Sequence, residues 1–198
     1  MISDIFKPAV VRVISPTARG LLRIGLTPNS VTVIGAVGVV ATALISYPAG
    51  HLFGGTLLIC VMALSDLFDG TMARISDRGP SRWGGFLDST IDRVTDSAIA
   101  VGLLIYLAKA ADLLAYALLV SIVAGFLVSY IRAKAESLDI ECKGGFAERT
   151  ERLIILLAAI GFTGLGVPYI LAIGIWFLAV VSIFTVMQRL LIVWKATK

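Results

Sequence analysis

Histidine, cysteine and charge are what this 198-residue chain has least of. It contains one His, two Cys and only 15% charged residues, and each scarcity removes a class of chemistry. Zinc centres and redox dithiols draw on closely spaced Cys and His, whereas Cys60 and Cys142 stand far apart in the chain and have no such spacing. His51 has no Ser or Cys partner pattern, which leaves no basis for a triad hydrolase. Asp, Glu, Lys and Arg are missing altogether from Ile24 to Ser65 and from Leu153 to Met187. With 58% hydrophobic residues and a mean hydropathy of +0.95, runs of this kind belong to an integral membrane protein rather than to a soluble domain. Basic residues interleaved with aromatics are also lacking, so the net charge of +4 points to membrane topology and anionic headgroups, not to nucleic acid.

The uncharged runs are each too long for one span of about 20 residues and must fold back on themselves. Tyr47-Pro48-Ala49-Gly50 breaks the first run and Gly164-Leu165-Gly166-Val167-Pro168 the second, since Pro and Gly punctuate helices. Leu113 to Ile131 reads as a single span. Ser97 to Ala108 is too short to cross alone, so its helix must begin near Gly84 and carry Asp88, Asp92 and Asp96 on its entry turns. The expectation is an all-α polytopic membrane protein: one domain over residues 1–198, with six transmembrane helices.

Lys7, Arg12, Arg19 and Arg23 precede the first span. Arg74, Arg78 and Arg82 lie between the second and third, Arg132, Lys134, Lys143, Arg149 and Arg152 between the fourth and fifth, and Arg189, Lys195 and Lys198 at the end. By the positive-inside rule both termini and the Asp-rich face are cytoplasmic. Ile2, Ile5, Phe6, Val10, Val13 and Ile14 can share one side of a helix with Lys7 and Arg12 off its centre. That pattern predicts a short amphipathic helix in the membrane interface rather than a cleaved signal peptide.

Four carboxylates at the edge of a bilayer require a reason, because each costs roughly 2.5 to 3.5 kcal/mol in a transmembrane helix. Asp66, Asp69, Gly70, Ala73 and Arg74 fall at i, i+3, i+4, i+7 and i+8, one face of the second helix, and Gly84, Asp88 and Asp92 repeat every four residues on the third. If the two faces oppose each other, four carboxylates converge beside two glycines. Such oxygen-only ligands select hard cations such as Mg²⁺, Mn²⁺ or Ca²⁺. Two divalent ions would neutralise the four charges, and a pair about 3.5 to 4 Å apart is a clamp for phosphoryl displacement. Asp96 beside Arg93 reads more simply as a local ion pair. A divalent-cation transporter would also place carboxylates in the membrane, but here they cluster at the cytoplasmic ends, and the fifth and sixth helices offer no ionisable path.

The pattern D-x-x-D-G-x-x-A-R followed by G-x-x-x-D-x-x-x-D, met by Asp66, Asp69, Gly70, Ala73, Arg74, Gly84, Asp88 and Asp92, resembles the signature of the CDP-alcohol phosphotransferases. Size and six-helix topology extend the likeness over nearly the whole chain. The resemblance implies a homodimer that moves a phosphatidyl group from CDP-diacylglycerol to an alcohol and releases CMP, with two Mg²⁺ (or Mn²⁺) per site. Asp66 and Asp88 would bridge both ions, Asp69 would complete one site and Asp92 the other, and Asp92 would be the general base. Gly70, Ala73, Arg74 and Ser81, with Asn29, Ser30, Val31 and Thr32 at the start of the first span, would hold the CDP-lipid; for Asn29 an ordinary helix cap is the plain alternative.

Ser129 to Ser137 and Cys142 to Arg152 are similar to segments of bacterial phosphatidylinositol-phosphate synthases, which implies inositol 1-phosphate as acceptor and the bacterial inner membrane as location. Lys134, Arg152 and Arg189 are the cations expected on the acceptor phosphate. Arg132 and Lys134 point in nearly opposite directions on a helix, and Lys134 is preferred. Glycerol 3-phosphate is the alternative acceptor.

Overall fold

The computed structural model of the chain describes residues 14–76, 79, 81–142 and 148–198. The expected interfacial helix, apart from Ile14, lies outside the described residues, as do Arg78 and the stretch 143–147 of the acceptor segment. Residues 14–23 are helical (α1). Seven helices follow: α2 Pro28–Ser46, α3 Leu52–Ala63, α4 Ser65–Ile75, α5 Arg82–Lys109, α6 Leu114–Glu136, α7 Arg149–Gly164 and α8 Ile170–Ala196. No strand occurs among the described residues.

Both expected breaks fall where Pro and Gly placed them. α2 ends at Ser46, and the chain turns through Gly50 at φ +82°; α7 ends at Gly164, and the next turn passes Gly166 at φ +85°. Positive φ is the conformation that glycine adopts without a Cβ penalty. The helix expected as the third span also begins upstream of Ser97, as its charge pattern required. α5 starts at Arg82 with Gly84, Asp88 and Asp92 on its first turns, and its buried apolar residues, Ala98, Ile99, Ala100, Leu103 and Leu107, follow from Ala98 onward.

Among the described residues four helical runs, against the six expected, are long and apolar enough to cross a membrane: Pro28–Ser46, Leu52–Ile75 (α3 and α4 together), Leu114–Glu136 and Ile170–Ala196. The two shortfalls have separate causes. α5 has ample length at 28 residues but carries Arg82, Asp88, Asp92, Arg93, Asp96 and Lys109. α7 has 16 residues, which at 1.5 Å each span roughly 24 Å, short of the ~30 Å hydrocarbon core.

The chain forms two compact units, one from Met1–Leu44 with Leu57–Ile99 and one from Ile45–Thr56 with Ala100–Lys198. In the first, α2 buries Thr32, Gly35, Val39, Thr42 and Ala43 at three- and four-residue spacing. Small residues let it approach its neighbour closely: a Cβ on Gly35 would come within 1.9 Å of Ser65 Oγ, and one on Gly38 within 2.8 Å of Met62 Sδ. Between membrane helices this is the main route to tight packing, because lipid is as apolar as leucine.

In the second unit α6 and α7 both pack on α8. A Cβ on Gly174 of α8 would meet the Ala159 Cβ of α7 at 2.6 Å. Tyr47 is fully buried there, and its hydroxyl bonds Thr56 Oγ1 at 2.9 Å. Lys109 closes the same end by donating to the Pro48 carbonyl at 3.0 Å.

Candidate active site

Every residue expected to hold metal or CDP-lipid lies in the first unit, on three helix segments. The first is the start of α2. Pro28 opens the helix, and Thr27, not Asn29, is its cap: Thr27 Oγ1 accepts from the Ser30 N–H at 3.2 Å and exchanges a hydrogen bond with Ser30 Oγ at 2.8 Å. A β-hydroxyl before an N1 proline supplies the acceptor that the first turn lacks. Asn29 is thereby released from capping, and its Oδ1 would stand 3.3 Å from a Cβ placed on Gly84.

The second segment is the start of α5. Ser81 caps it, its Oγ accepting from the Gly84 N–H at 2.9 Å, and the same oxygen would be 3.0 Å from a Gly84 Cβ. Asn29 and Ser81, both expected to contact the nucleotide, therefore approach one another over Gly84, and the missing side chain there is what admits them.

The third segment, α4, carries Asp66, Asp69, Gly70, Ala73 and Arg74. Asp69 is only 8% exposed, whereas Asp66 and Asp88 are exposed and Asp92 is intermediate. Thr32 Oγ1 donates to Asp69 Oδ2, and the charges of Asp66 and Asp88 reach Asp69. Arg74 folds along its own helix, Nε donating to the Gly70 carbonyl at 3.0 Å. A Cβ on Gly70 would touch nothing nearer than Arg74 Nη2, at 3.6 Å. That is an ordinary contact, so the protein's own packing does not require glycine at 70 as it does at 35.

The structure brings Asp66, Asp69 and Asp88 within electrostatic reach. Among the described residues, however, no three His, Cys, Asp or Glu side chains are gathered as a metal-holding group, so the carboxylates form an open set. Asp92 has a neighbour that the spacing argument left out: Arg93 Nη2 lies 3.6 Å from Asp92 and 3.7 Å from Asp96. The local pair expected of Asp96 is present, and it extends to the residue expected to act as base.

The cations expected on the acceptor phosphate belong to the second unit. Arg189 is 4% exposed, and its Nη1 donates to the Val128 carbonyl of α6 at 2.6 Å. Arg152 is partly exposed on the first turns of α7, and Lys134 is exposed near the end of α6. The charges that reach Arg189 include Arg132, Glu148 and Glu136, and Arg132 Nε is paired with Glu136 at 2.9 Å. Val128, Arg132 and Glu136 of α6 thus share Arg189's surroundings. The i,i+4 spacing of Arg132 to Glu136 was a sequence signal for their pairing.

Residues 25–194 match the CDP-alcohol phosphatidyltransferase family. This chain belongs to that family. The match takes in α2 to α8 almost complete, including all three segments of the site. The chain is 43% identical over 195 residues to the phosphatidylinositol phosphate synthase of Mycobacterium tuberculosis (strain ATCC 25618 / H37Rv), covering 96% of this chain and 89% of the relative. The crystal structure of Mycobacterium tuberculosis phosphatidylinositol phosphate synthase with CDP-DAG bound is similar with a TM-score of 0.89 at 44% identity, over 92% of this chain and 94% of that one. A second crystal structure of that enzyme, in complex with manganese and citrate, gives a TM-score of 0.86 at 42% identity, over 91% and 88% of the two chains. As a CDP-alcohol phosphatidyltransferase the chain is an enzyme.

Proposed function

We propose that the chain transfers the phosphatidyl group of CDP-diacylglycerol to inositol 1-phosphate, giving phosphatidylinositol phosphate and CMP. The observation that carries this reading is the junction of the three segments: α2 meets α4 through Thr32 and Asp69, and α2 meets α5 where Asn29 and Ser81 approach over Gly84. In this reading the α2 start and Ser81 receive the nucleotide, and Gly70 leaves room for the diphosphate. Arg74 answers the charge that shifts onto departing CMP.

Asp66, Asp69, Asp88 and Asp92 would hold two divalent ions, Mg²⁺ or Mn²⁺. The donor chemistry fits, being carboxylate only with no His or Cys among it. When bound, such ions supply charge neutralisation on the transferring phosphoryl group. The chain's own part in the proton transfer falls to Asp92, which takes the proton from the acceptor hydroxyl as the new P–O bond forms. Attack is direct and in line.

Lys134, Arg152 and Arg189 would receive the acceptor's phosphate, Arg being suited to bidentate oxyanion recognition. The same proposal makes α5 and α7 the two remaining spans, for six in one catalytic domain, with both termini and the carboxylates on the cytoplasmic side of a bacterial inner membrane. Placing the charges of α5 at the interface removes the objection to its composition. We further propose a homodimer, as the family resemblance implies.

The test is CMP release by the purified protein with CDP-diacylglycerol and Mg²⁺, comparing inositol 1-phosphate, glycerol 3-phosphate and free inositol. Stimulation by inositol 1-phosphate alone is expected. Preference for glycerol 3-phosphate would change the acceptor and keep the chemistry, and absence of release with every acceptor would overturn the proposed reaction.

A further inference from the structure

Of the four carboxylates, Asp69 alone is deeply buried, at 8% exposure, and the hydroxyl that serves it comes from Thr32, itself 6% exposed. A carboxylate removed from water loses its solvent hydrogen bonds and has to find donors within the protein. Thr32 Oγ1 donates to Asp69 Oδ2, and the same oxygen lies 3.1 Å from the Pro28 carbonyl one turn back. A threonine hydroxyl carries one proton. The back-bond to a helical carbonyl is the ordinary use of that proton, but a hydrogen bond to a charged acceptor is about twice as strong as a neutral one. The proton therefore goes to Asp69.

The helix that presents Thr32 is held against movement. Thr27 caps its start, Pro28 sets its first φ, and one turn further on Gly35 is seated against Ser65 with no space for a methyl group. The hydroxyl is consequently delivered from a rigid support. It engages Oδ2, the backbone N–H of Gly70 is a second donor to the same carboxylate, and the two together restrict its orientation.

We infer that Thr32 is a positioning residue for Asp69, acting through that carboxylate on divalent-cation binding rather than as a contact for the nucleotide. The inference rests on the proposed role of Asp69 as a cation ligand. It separates Thr32 from Asn29, Ser30 and Val31, its companions on the first turns of α2. Groups that orient a ligating carboxylate typically account for 10- to 100-fold in metal affinity, and that is the size of effect expected here.

The test uses the full-length protein in detergent and Mn²⁺ as the probe, with free Mn²⁺ followed by its paramagnetic resonance signal in the absence of any CDP-lipid. Binding of CDP is measured separately in the presence of chelator, and thermal stability is recorded for every variant. Thr32→Val keeps the shape and removes the donor, Thr32→Ala removes donor and branch, and Thr32→Ser keeps the donor. The expected result is at least a tenfold loss of Mn²⁺ affinity in Thr32→Val and Thr32→Ala, near wild-type affinity in Thr32→Ser, and unchanged CDP binding throughout.

Unchanged Mn²⁺ affinity with weakened CDP binding in Thr32→Val would return Thr32 to the nucleotide and overturn the inference. An equal loss of Mn²⁺ affinity in Thr32→Ser would overturn it too, by showing that packing and not the hydroxyl matters. Asp69→Asn distinguishes failure of the inference from failure of the underlying reading. If that variant binds Mn²⁺ as the wild type does, Asp69 is not a ligand and both fall; if it loses Mn²⁺ while Thr32→Val does not, only the inference falls.

Discussion

Gly35→Ala tests the packing on which the site depends. The new methyl group would lie 1.9 Å from Ser65 Oγ, 2.5 Å from Ser65 Cβ and 3.2 Å from the Met62 carbonyl. Rotation about χ1 can remove the hydroxyl, but neither the Ser65 Cβ nor the carbonyl can move without its helix. Carbon atoms rest at about 3.5–4.0 Å, so α2 has to shift by roughly 1 Å at this point. Overpacking of this kind costs about 1–3 kcal/mol, and contact with a backbone-anchored atom puts it at the upper end. Replacing a helical glycine by alanine returns up to about 1 kcal/mol in propensity. The net expectation is a loss of about 2 kcal/mol, roughly a 30-fold fall in the ratio of folded to unfolded protein.

The assay is reversible unfolding in mixed micelles, with Gly35→Ala/Ser65→Gly as the compensating pair. Recovery beyond the sum of the single effects is expected, because the two positions share one contact. Since Thr32 lies one turn before Gly35 on the same buried face, the single variant should also weaken Mn²⁺ binding. A Gly35→Ala protein as stable as the wild type would refute the close approach of α2 to Ser65, and with it the argument that this contact holds Thr32 in place.

Gly70→Ala is expected to do the reverse, leaving stability unchanged or raised by up to about 1 kcal/mol while CMP release falls at least tenfold; retained activity would show that no ligand occupies the space. Asp92→Asn should abolish turnover and keep CDP-lipid binding, and a matching loss of binding would remove its assignment as a base. Arg189→Ala loses a buried charged hydrogen bond to Val128, worth about 1.5–3 kcal/mol, so both stability and the KM for inositol 1-phosphate should suffer. Lys134→Ala, at an exposed position, should leave stability within about 0.5 kcal/mol and raise the same KM; an unaltered KM would take Lys134 out of the acceptor site. Chelation of divalent ions should stop CMP release in the wild type, and release that persists in excess chelator would contradict the assignment of the four carboxylates.

Much of the architecture was legible because it rests on local rules. Pro and Gly marked both turns, and the short apolar stretch after Asp96 required its helix to begin upstream, as α5 does. The motif residues were legible for a similar reason, since three- and four-residue spacing places them on one face whatever surrounds the helix. Span count was less secure: a charged α5 and a 16-residue α7 fall outside simple rules of length and composition. Pairing was poorly legible. Thr27 took the cap that Asn29 was free to fill, Arg93 joined Asp92 as well as Asp96, and Arg189 turned to the Val128 carbonyl of α6.

By itself the sequence determined the class of molecule, the helical turns and the chemistry of the motif, because hydropathy, backbone restriction and helical period are properties of near neighbours in the chain. Only the tertiary structure decided which carboxylate is buried, which hydroxyl serves it and which glycine is required by packing. Those depend on atoms distant in sequence, such as Thr32 with Asp69 and Gly35 with Ser65, whose approach no local period encodes.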